Sequence, residues 1–227
     1  LEHLHFAIEE VMPSVSVSAD QLVEGYRRRY AVKRFDSSRA LDPSIWDALE
    51  KSLVLTPSSF GLQPWKFLVI SSPEYKSKLP AISWSQSQPA ECSHMVVFAA
   101  MKSVGPDYVD RFLAQVAAIR GVGVSSMATL RQIMLGFLQK ASGDHLAWSS
   151  NQAYIALGQL LASAAILGVD ACPMEGILLE EYDKLLGLEG TNYTSVVGCA
   201  LGYRHPDDKY AFAPKVRFDH SELITHF

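Results

Sequence analysis

Three cysteines in 227 residues, Cys92, Cys172 and Cys199, are odd in number and far apart, so they form no disulfide framework and no CxxC zinc pair. A reducing compartment is the expected home. The seven histidines are scattered, and none pairs with another in HExxH or similar ligand spacing. No serine sits in a GxSxG elbow, no Walker A sequence occurs, and no nucleophile is accompanied by an evident base. The segment "GVGVSS" (121–126) shares only the start of a dinucleotide fingerprint. It lacks the third glycine and follows a helix, so it reads as a helix-to-helix turn. Hydrolase and metalloenzyme chemistry thus lack their usual signatures. An excess of one charge is missing too. Twenty Lys and Arg against 24 Asp and Glu leave a net charge of −4, which gives no broad attraction to nucleic acid or to an anionic membrane.

A secretory signal is also absent. The start, "LEHLHFAIEEVMPSVSVS", carries acids and has neither a basic n-region nor a clean apolar run, so a cytoplasmic location is expected. Residues 1–17 read as an N-terminal extension, of which 1–11 are either native or an added remnant ahead of a start at Met12. The one long apolar run, "AYIALGQLLASAAILGV" (153–169), is interrupted by Gln159 and Ser163 and falls short of the about 20 residues a spanning helix needs. A helix apolar on every face also suits the centre of a core.

With 48% hydrophobic and 19% charged residues, the composition is that of an ordinary globular domain. Ser18 with Gln21 makes a capping box, and Leu22, Val23 and Tyr26 give the helix after it an apolar face. Asp42 followed by Pro43 starts a second helix, with Ile45, Trp46, Leu49 and Leu53 at helical spacing. The runs 65–71 and 94–101 read as buried strands, with a short helix from Ser72-Pro73 between them. Two amphipathic helices over 107–120 and 125–140 precede the core helix. Beyond it come a strand at 169–172, a helix at 178–186 and a strand at 194–203. The tail has no complete apolar face and is expected to pack on something else, such as a partner subunit. No repeat or linker divides the chain, so residues 18–227 are one α+β domain.

Three stretches carry candidate chemistry. "YRRRYAVKRF" (26–35) places five cations in eight residues of an acidic protein, which suits either a solvated helix end or an anion site. Lys215 and Arg217 form a second cationic pair near the other end. "CPMEG" (172–176) reads either as a plain strand-to-helix turn or as a place where Pro173 fixes the exit and Gly176 lets backbone approach a flat ligand. "TPSSFGLQPW" (56–65) sets small hydroxyl residues and a glycine between a helix and a strand.

In order and spacing, "RRYAVKRFD", "TPSSFGLQPWKF", "SQSQPAECSHMVVF", "CPMEGI" and "PKVRF" resemble the flavin-dependent nitroreductase family, from about Leu22 to the C-terminal region. The resemblance implies a nitroreductase-like fold, with a small, mostly antiparallel sheet among helices in an intertwined homodimer. It also implies FMN at the subunit interface, NAD(P)H as reductant and a small-molecule acceptor. Arg29, Lys215 and Arg217 then hold the phosphate beside Tyr30 and Ala31, while Lys33 lies under the pyrimidine edge. The main-chain amide near Glu175, within Pro173, Met174, Glu175 and Gly176, donates to flavin N5, so Glu175 and Lys33 are the catalytic candidates. Pro57, Ser58, Ser59, Phe60 and Gly61 reach the partner's flavin, with Ser85 and Gln88 also at the cofactor.

Residues 107–140 are expected to form a helical excursion over the active site, in which some of Met127, Met134, Phe137 and Leu138 face the substrate, Met134 and Phe137 foremost, or else fill helical core positions. The implied activity is ping-pong hydride transfer to nitroaromatic or quinone-type acceptors. A specialised flavin enzyme that fragments flavin or removes halide, and a flavin-binding or storage protein, are the alternatives. Gly61 stands where relatives often have asparagine and Ala31 where they often have serine, which removes two hydrogen bonds worth about 0.5–1.5 kcal/mol each, while Ser85 and Gln88 fall where asparagine and lysine or glutamine are common.

Overall fold

The computed structural model describes residues 17–140 and 144–227, so the expectations about residues 1–11 and Met12 lie outside the described residues. Helix α1 (Ala19–Arg28) begins with the expected capping box. Ser18 Oγ accepts from the Gln21 amide at 3.2 Å, and Gln21 Oε1 accepts from the Ser18 amide at 2.8 Å. Helix α2 (Pro43–Val54) starts on Asp42, whose carboxylate accepts from the Ser44 amide at 2.8 Å. Strand β1 (Trp65–Ile70) and two single-turn helices, α3 (Pro73–Lys76) and α4 (Gln88–Glu91), lead to strand β2 (His94–Met101).

Helix α5 (Pro106–Arg120) ends at Gly121, whose φ of 65° is the left-handed cap that the expected helix-to-helix turn requires. A 3₁₀ turn (Val124–Met127) then leads into α6 (Ala128–Lys140). Helix α7 (His145–Ile166) starts eight residues before the apolar run expected from sequence. Asp144 caps it, accepting from the Ala147 amide at 2.8 Å, and its first two turns are too polar to show in an apolar count. Strand β3 (Asp170–Met174), α8 (Leu179–Leu185), β4 (Tyr193–Gly202) and the single turn α9 (His220–Leu223) complete the chain.

The four strands form one antiparallel sheet in the order β1-β2-β4-β3, so the architecture is the α+β one expected. On one face, Val96, Phe98, Val197 and Cys199 pack against Leu49 and Leu53 of α2 and Ala153, Ala156 and Leu160 of α7. On the other, Met95, Val97 and Ala200 pack against Val32, Phe35 and Tyr182. A third cluster lies under α5 and α6. No helix among the described residues is long and apolar enough to cross a membrane. The polar interruption at Gln159 joins helices, since its amide donates to the Ser52 carbonyl of α2 at 2.5 Å.

Strand β3 differs from the sequence expectation. It continues through Pro173, which pairs with Cys199, to Met174. A proline inside a strand is tolerated here because β3 is an edge strand.

Candidate functional site

The basic stretch turns out of α1 at Arg29 and runs extended beneath β3, where Ala31 bridges Ala171. Val32 and Phe35 are buried as anchors, which leaves Arg29 half-buried and Lys33 exposed. The C-terminal tail returns here, and Lys215 Nζ donates to the Arg29 carbonyl. Arg29, Tyr30, Ala31, Lys33, Lys215 and Arg217 line a cleft of about 450 Å³. An adjoining cleft shares Arg29, Lys215 and Arg217, and adds Val23, Tyr26 and Leu161.

No carboxylate among the described residues pairs with Arg29, Lys33, Lys215 or Arg217. Arg29 Nε is buried without a hydrogen-bond partner. Burial, then Arg29 and Arg217, hold the Lys215 amine below its ordinary pKa. Cations gathered without a carboxylate of the described residues suit an anion from elsewhere.

An acidic frame holds this cluster from behind. Asp208, buried, accepts from the Lys33 amide at 2.8 Å, the Arg34 amide at 3.2 Å and the Tyr30 hydroxyl at 3.0 Å through one oxygen, and from the Tyr210 amide at 3.0 Å through the other. Burial alone would raise the Asp208 pKa, but these hydrogen bonds bring it below the usual carboxylate range. Burial and the bond to Asp208 push the Tyr30 phenol up. Asp170, also buried, takes the Arg204 guanidinium through contacts of 2.5–3.1 Å, and Arg28 at 3.8 Å.

The second part is the exit from β3. Three contacts pin the turn after Met174: Tyr154 Oη donates to Glu175 Oε1 at 2.6 Å, Gln86 Nε2 donates to the Gly176 carbonyl at 3.1 Å, and the Leu178 amide donates to the Ile82 carbonyl at 2.8 Å. Neither the Glu175 nor the Gly176 amide donates to a described acceptor. Gly176 is required for packing, because a Cβ there would stand 2.7 Å from Gln86 Nε2 and 2.9 Å from the Trp84 ring. Trp84 is 70% exposed, and both it and Ser85 have left-handed backbone, φ 53° and 59°. Such strain in a bulky residue is the kind functional sites retain. Gln88 is buried in the single-turn helix that follows.

The third part is the loop at residues 57–61. Ser58 Oγ accepts from the Gln63 amide at 2.9 Å, and the Ser59 amide donates to Gln152 Oε1 on α7 at 2.8 Å. Phe60 and Gly61 both have positive φ, 56° and 75°, and a Cβ on Gly61 would stand 3.1 Å from the Phe112 ring. Phe60 meets Phe137 edge-on at 5.3 Å, and Phe137 meets Trp148 at 5.8 Å.

Arg29, Tyr30, Ala31, Lys33, Lys215 and Arg217 therefore share one cleft, whose lining includes neither the loop nor the exit turn of the same chain. Met134 does not line a site within this chain. It is 1% exposed and packs with Met127 and Leu138 in the third apolar cluster, whereas Phe137 keeps some free surface. His94 stacks on Trp46, with ring centroids 4.0 Å apart. Gln152, Tyr154, Trp84 and Asp208 escaped sequence reading.

The site suits a flavin mononucleotide at both ends. The surplus cations and the orphaned Arg29 Nε match a phosphate, and two free amides on a pinned turn match a ring nitrogen that accepts.

A NAD(P)H nitroreductase of Staphylococcus epidermidis, so named provisionally, is 32% identical over 219 residues, covering 90% of this chain and 96% of that one. The provisionally named NAD(P)H nitroreductase YfkO of Bacillus subtilis is 32% identical over 209 residues, covering 87% and 93%. Among solved structures, the provisionally assigned nitroreductase ydfN of Bacillus subtilis superposes with a TM-score of 0.81 at 16% identity, covering 92% of this chain and all of that one. A provisionally assigned nitroreductase of Exiguobacterium sibiricum in complex with FMN gives 0.72 at 19%, covering 95% and 100%. The sequence profile of the nitroreductase family itself matches residues 26–203, a span running from the basic stretch to the end of the sheet, and the chain belongs to that family.

Proposed function

We propose that the protein is an NAD(P)H-dependent FMN oxidoreductase working by a ping-pong cycle, in which nicotinamide and then an electrophilic acceptor, a nitroaromatic or a quinone, use one site in turn. The observation that carries this reading is the cluster of Arg29, Lys33, Lys215 and Arg217, with which no carboxylate among the described residues pairs. Bound FMN would supply a two-electron carrier that takes up and gives back hydride. Arg29, Lys215 and Arg217 bind its phosphate, with Tyr30 and Ala31 beside them. Lys33 stands at the pyrimidine edge, where a positive charge favours the reduced, anionic ring. The amides of Glu175 and Gly176 donate to the ring, Pro173 and Met174 carry them there, and Ser85 and Gln88 border the same side. Because Glu175 serves through its main chain, no separate general acid or base is called for.

The cofactor would lie between two copies of the chain, with Pro57, Ser58, Ser59, Phe60 and Gly61 of one completing the site of the other and Phe137 of the excursion over 107–140 at the rim. Supporting this, the tail and one side of α7 leave Phe212, Phe218, Ile155 and Tyr154 uncovered. Three unpaired thiols, all buried, accord with a cytoplasmic setting.

The test is to load the protein with FMN, remove oxygen and add NADH or NADPH. Rapid bleaching of the visible flavin band, restored by a quinone, is the expected result. A band that persists with either nucleotide would replace the oxidoreductase with a flavin-binding protein. For the shared site, Ser59→Trp and the double variant Arg29→Ala with Lys33→Ala should each fail to hold flavin alone. Random exchange of equal amounts makes about half the dimers mixed, each with one intact site, so about a quarter of all sites should recover. Verified mixed dimers that stay colourless would return the loop to a plain connection.

A further inference from the structure

The exit turn after β3 holds two donors in reserve, and a nearby acceptor could consume them. That acceptor is the carboxylate of Glu175 itself, which is exposed and sits on the same turn. A glutamate side chain is long enough to fold back on adjacent amides, and carboxylates readily take backbone N–H groups. In the structure it does not. Glu175 Oε1 is taken instead by the Tyr154 hydroxyl at 2.6 Å, the short distance of a charge-assisted bond. No cation among the described residues forms an ion pair with Glu175.

Tyr154 is well placed to hold it. It lies on the 22-residue helix α7, whose Ala153, Ala156 and Leu157 are buried against the sheet. The phenol keeps its proton, since burial and the Glu175 carboxylate push its pKa up to about 12. Two residues earlier, Gln152 of the same helix holds the Ser59 amide. One rigid helix thus ties down both the exit turn and the 57–61 loop of its own chain.

We propose that Tyr154 is a positioning residue for the redox centre. Its hydroxyl tethers the Glu175 carboxylate, which keeps the Glu175 and Gly176 amides free to donate and holds a negative charge in a fixed place beside them. The role rests on the FMN reading above. A carboxylate released near the ring would oppose the anionic reduced flavin and compete for its donors, so the tether favours reduction.

The experiment measures the midpoint potential of the FMN-loaded protein, by anaerobic spectroelectrochemistry, in a cycle of Tyr154→Phe, Glu175→Gln and their combination. Tyr154→Phe should lower the reduced-to-oxidised ratio at a given potential about tenfold, which for a two-electron couple is about 30 mV. Glu175→Gln removes the charge and keeps an acceptor for the phenol, so its potential should not fall. In that background Tyr154→Phe should have no further effect. An unchanged potential in Tyr154→Phe, or an equal drop in both backgrounds, overturns the tether, the latter because lost packing alone would act in both. Flavin titration separates the two readings. A wild-type protein that takes up no FMN overturns the cofactor assignment and the tether together, whereas full FMN binding with a flat cycle overturns the tether alone.

Discussion

Neighbouring arginines in one stretch of sequence meet opposite fates. Arg28 turns towards Asp170, which also takes Arg204 through several contacts at 2.5–3.1 Å, so both guanidiniums of that group face a carboxylate. Arg29, the next residue, faces Lys215 and Arg217 with its Nε unpartnered. The first group is a structural clamp and the second a vacancy for negative charge. A run of cations in sequence therefore says little until each is matched to its carboxylate.

The sharpest way to break the contrast is Asp170→Ala. Asp170 is buried, but the Arg204 and Arg28 guanidiniums it leaves behind stay partly solvated, so the loss is that of charge-assisted hydrogen bonds, about 1.5–3 kcal/mol. Urea unfolding should show a loss of that size, and a change below about 1 kcal/mol would deny that the clamp is structural. Arg217→Ala should do the reverse, leaving the urea midpoint unchanged while weakening FMN. One charge-assisted hydrogen bond contributes about 1.5–3 kcal/mol, or about ten- to a hundredfold in Kd by fluorescence titration of the apoprotein. Unaltered affinity would remove Arg217 from the phosphate site.

The smallest expected effect is a pH dependence. The Lys215 pKa is lowered in the folded protein, so between that value and the ordinary 10.5 the unfolded chain binds more protons and stability rises with pH. Binding an anion has the opposite linkage, since it favours the charged amine. FMN affinity should therefore decline as pH rises through the lowered Lys215 pKa, before 10.5 is reached, and Lys215→Met should flatten that decline. For Asp208 the sign is that of a depressed carboxylate. Its contribution is full above the ordinary 3.8 and is lost as pH falls through its lower folded value.

What could be read in advance was local. Ser18, Asp42 and Pro43 set helix starts through contacts within a few residues, and an unbroken apolar run from Met95 to Met101 marked β2. The contacts that position the site span longer separations, 21 residues for Tyr154 with Glu175, 93 for Gln152 with Ser59 and 175 for Asp208 with Lys33. No periodicity marks such pairs. Met134 could have been read better. Met134 and Leu138 are four residues apart on one stripe of α6, and that stripe is the buried one. Phe137, just off the stripe, kept its free surface.

Pro173 has a consequence for how the molecule behaves at high concentration. Strand β3 is an open flank of the sheet, and the exposed flank of a strand is a template on which another chain can build. A proline in that strand, with the short bridge from Ala31 to Ala171 laid along it, blunts the template. The border beside the exit turn can thus stay accessible to a small molecule while refusing a foreign β-strand, a form of protection against aggregation built into the residue that opens the "PMEG" segment.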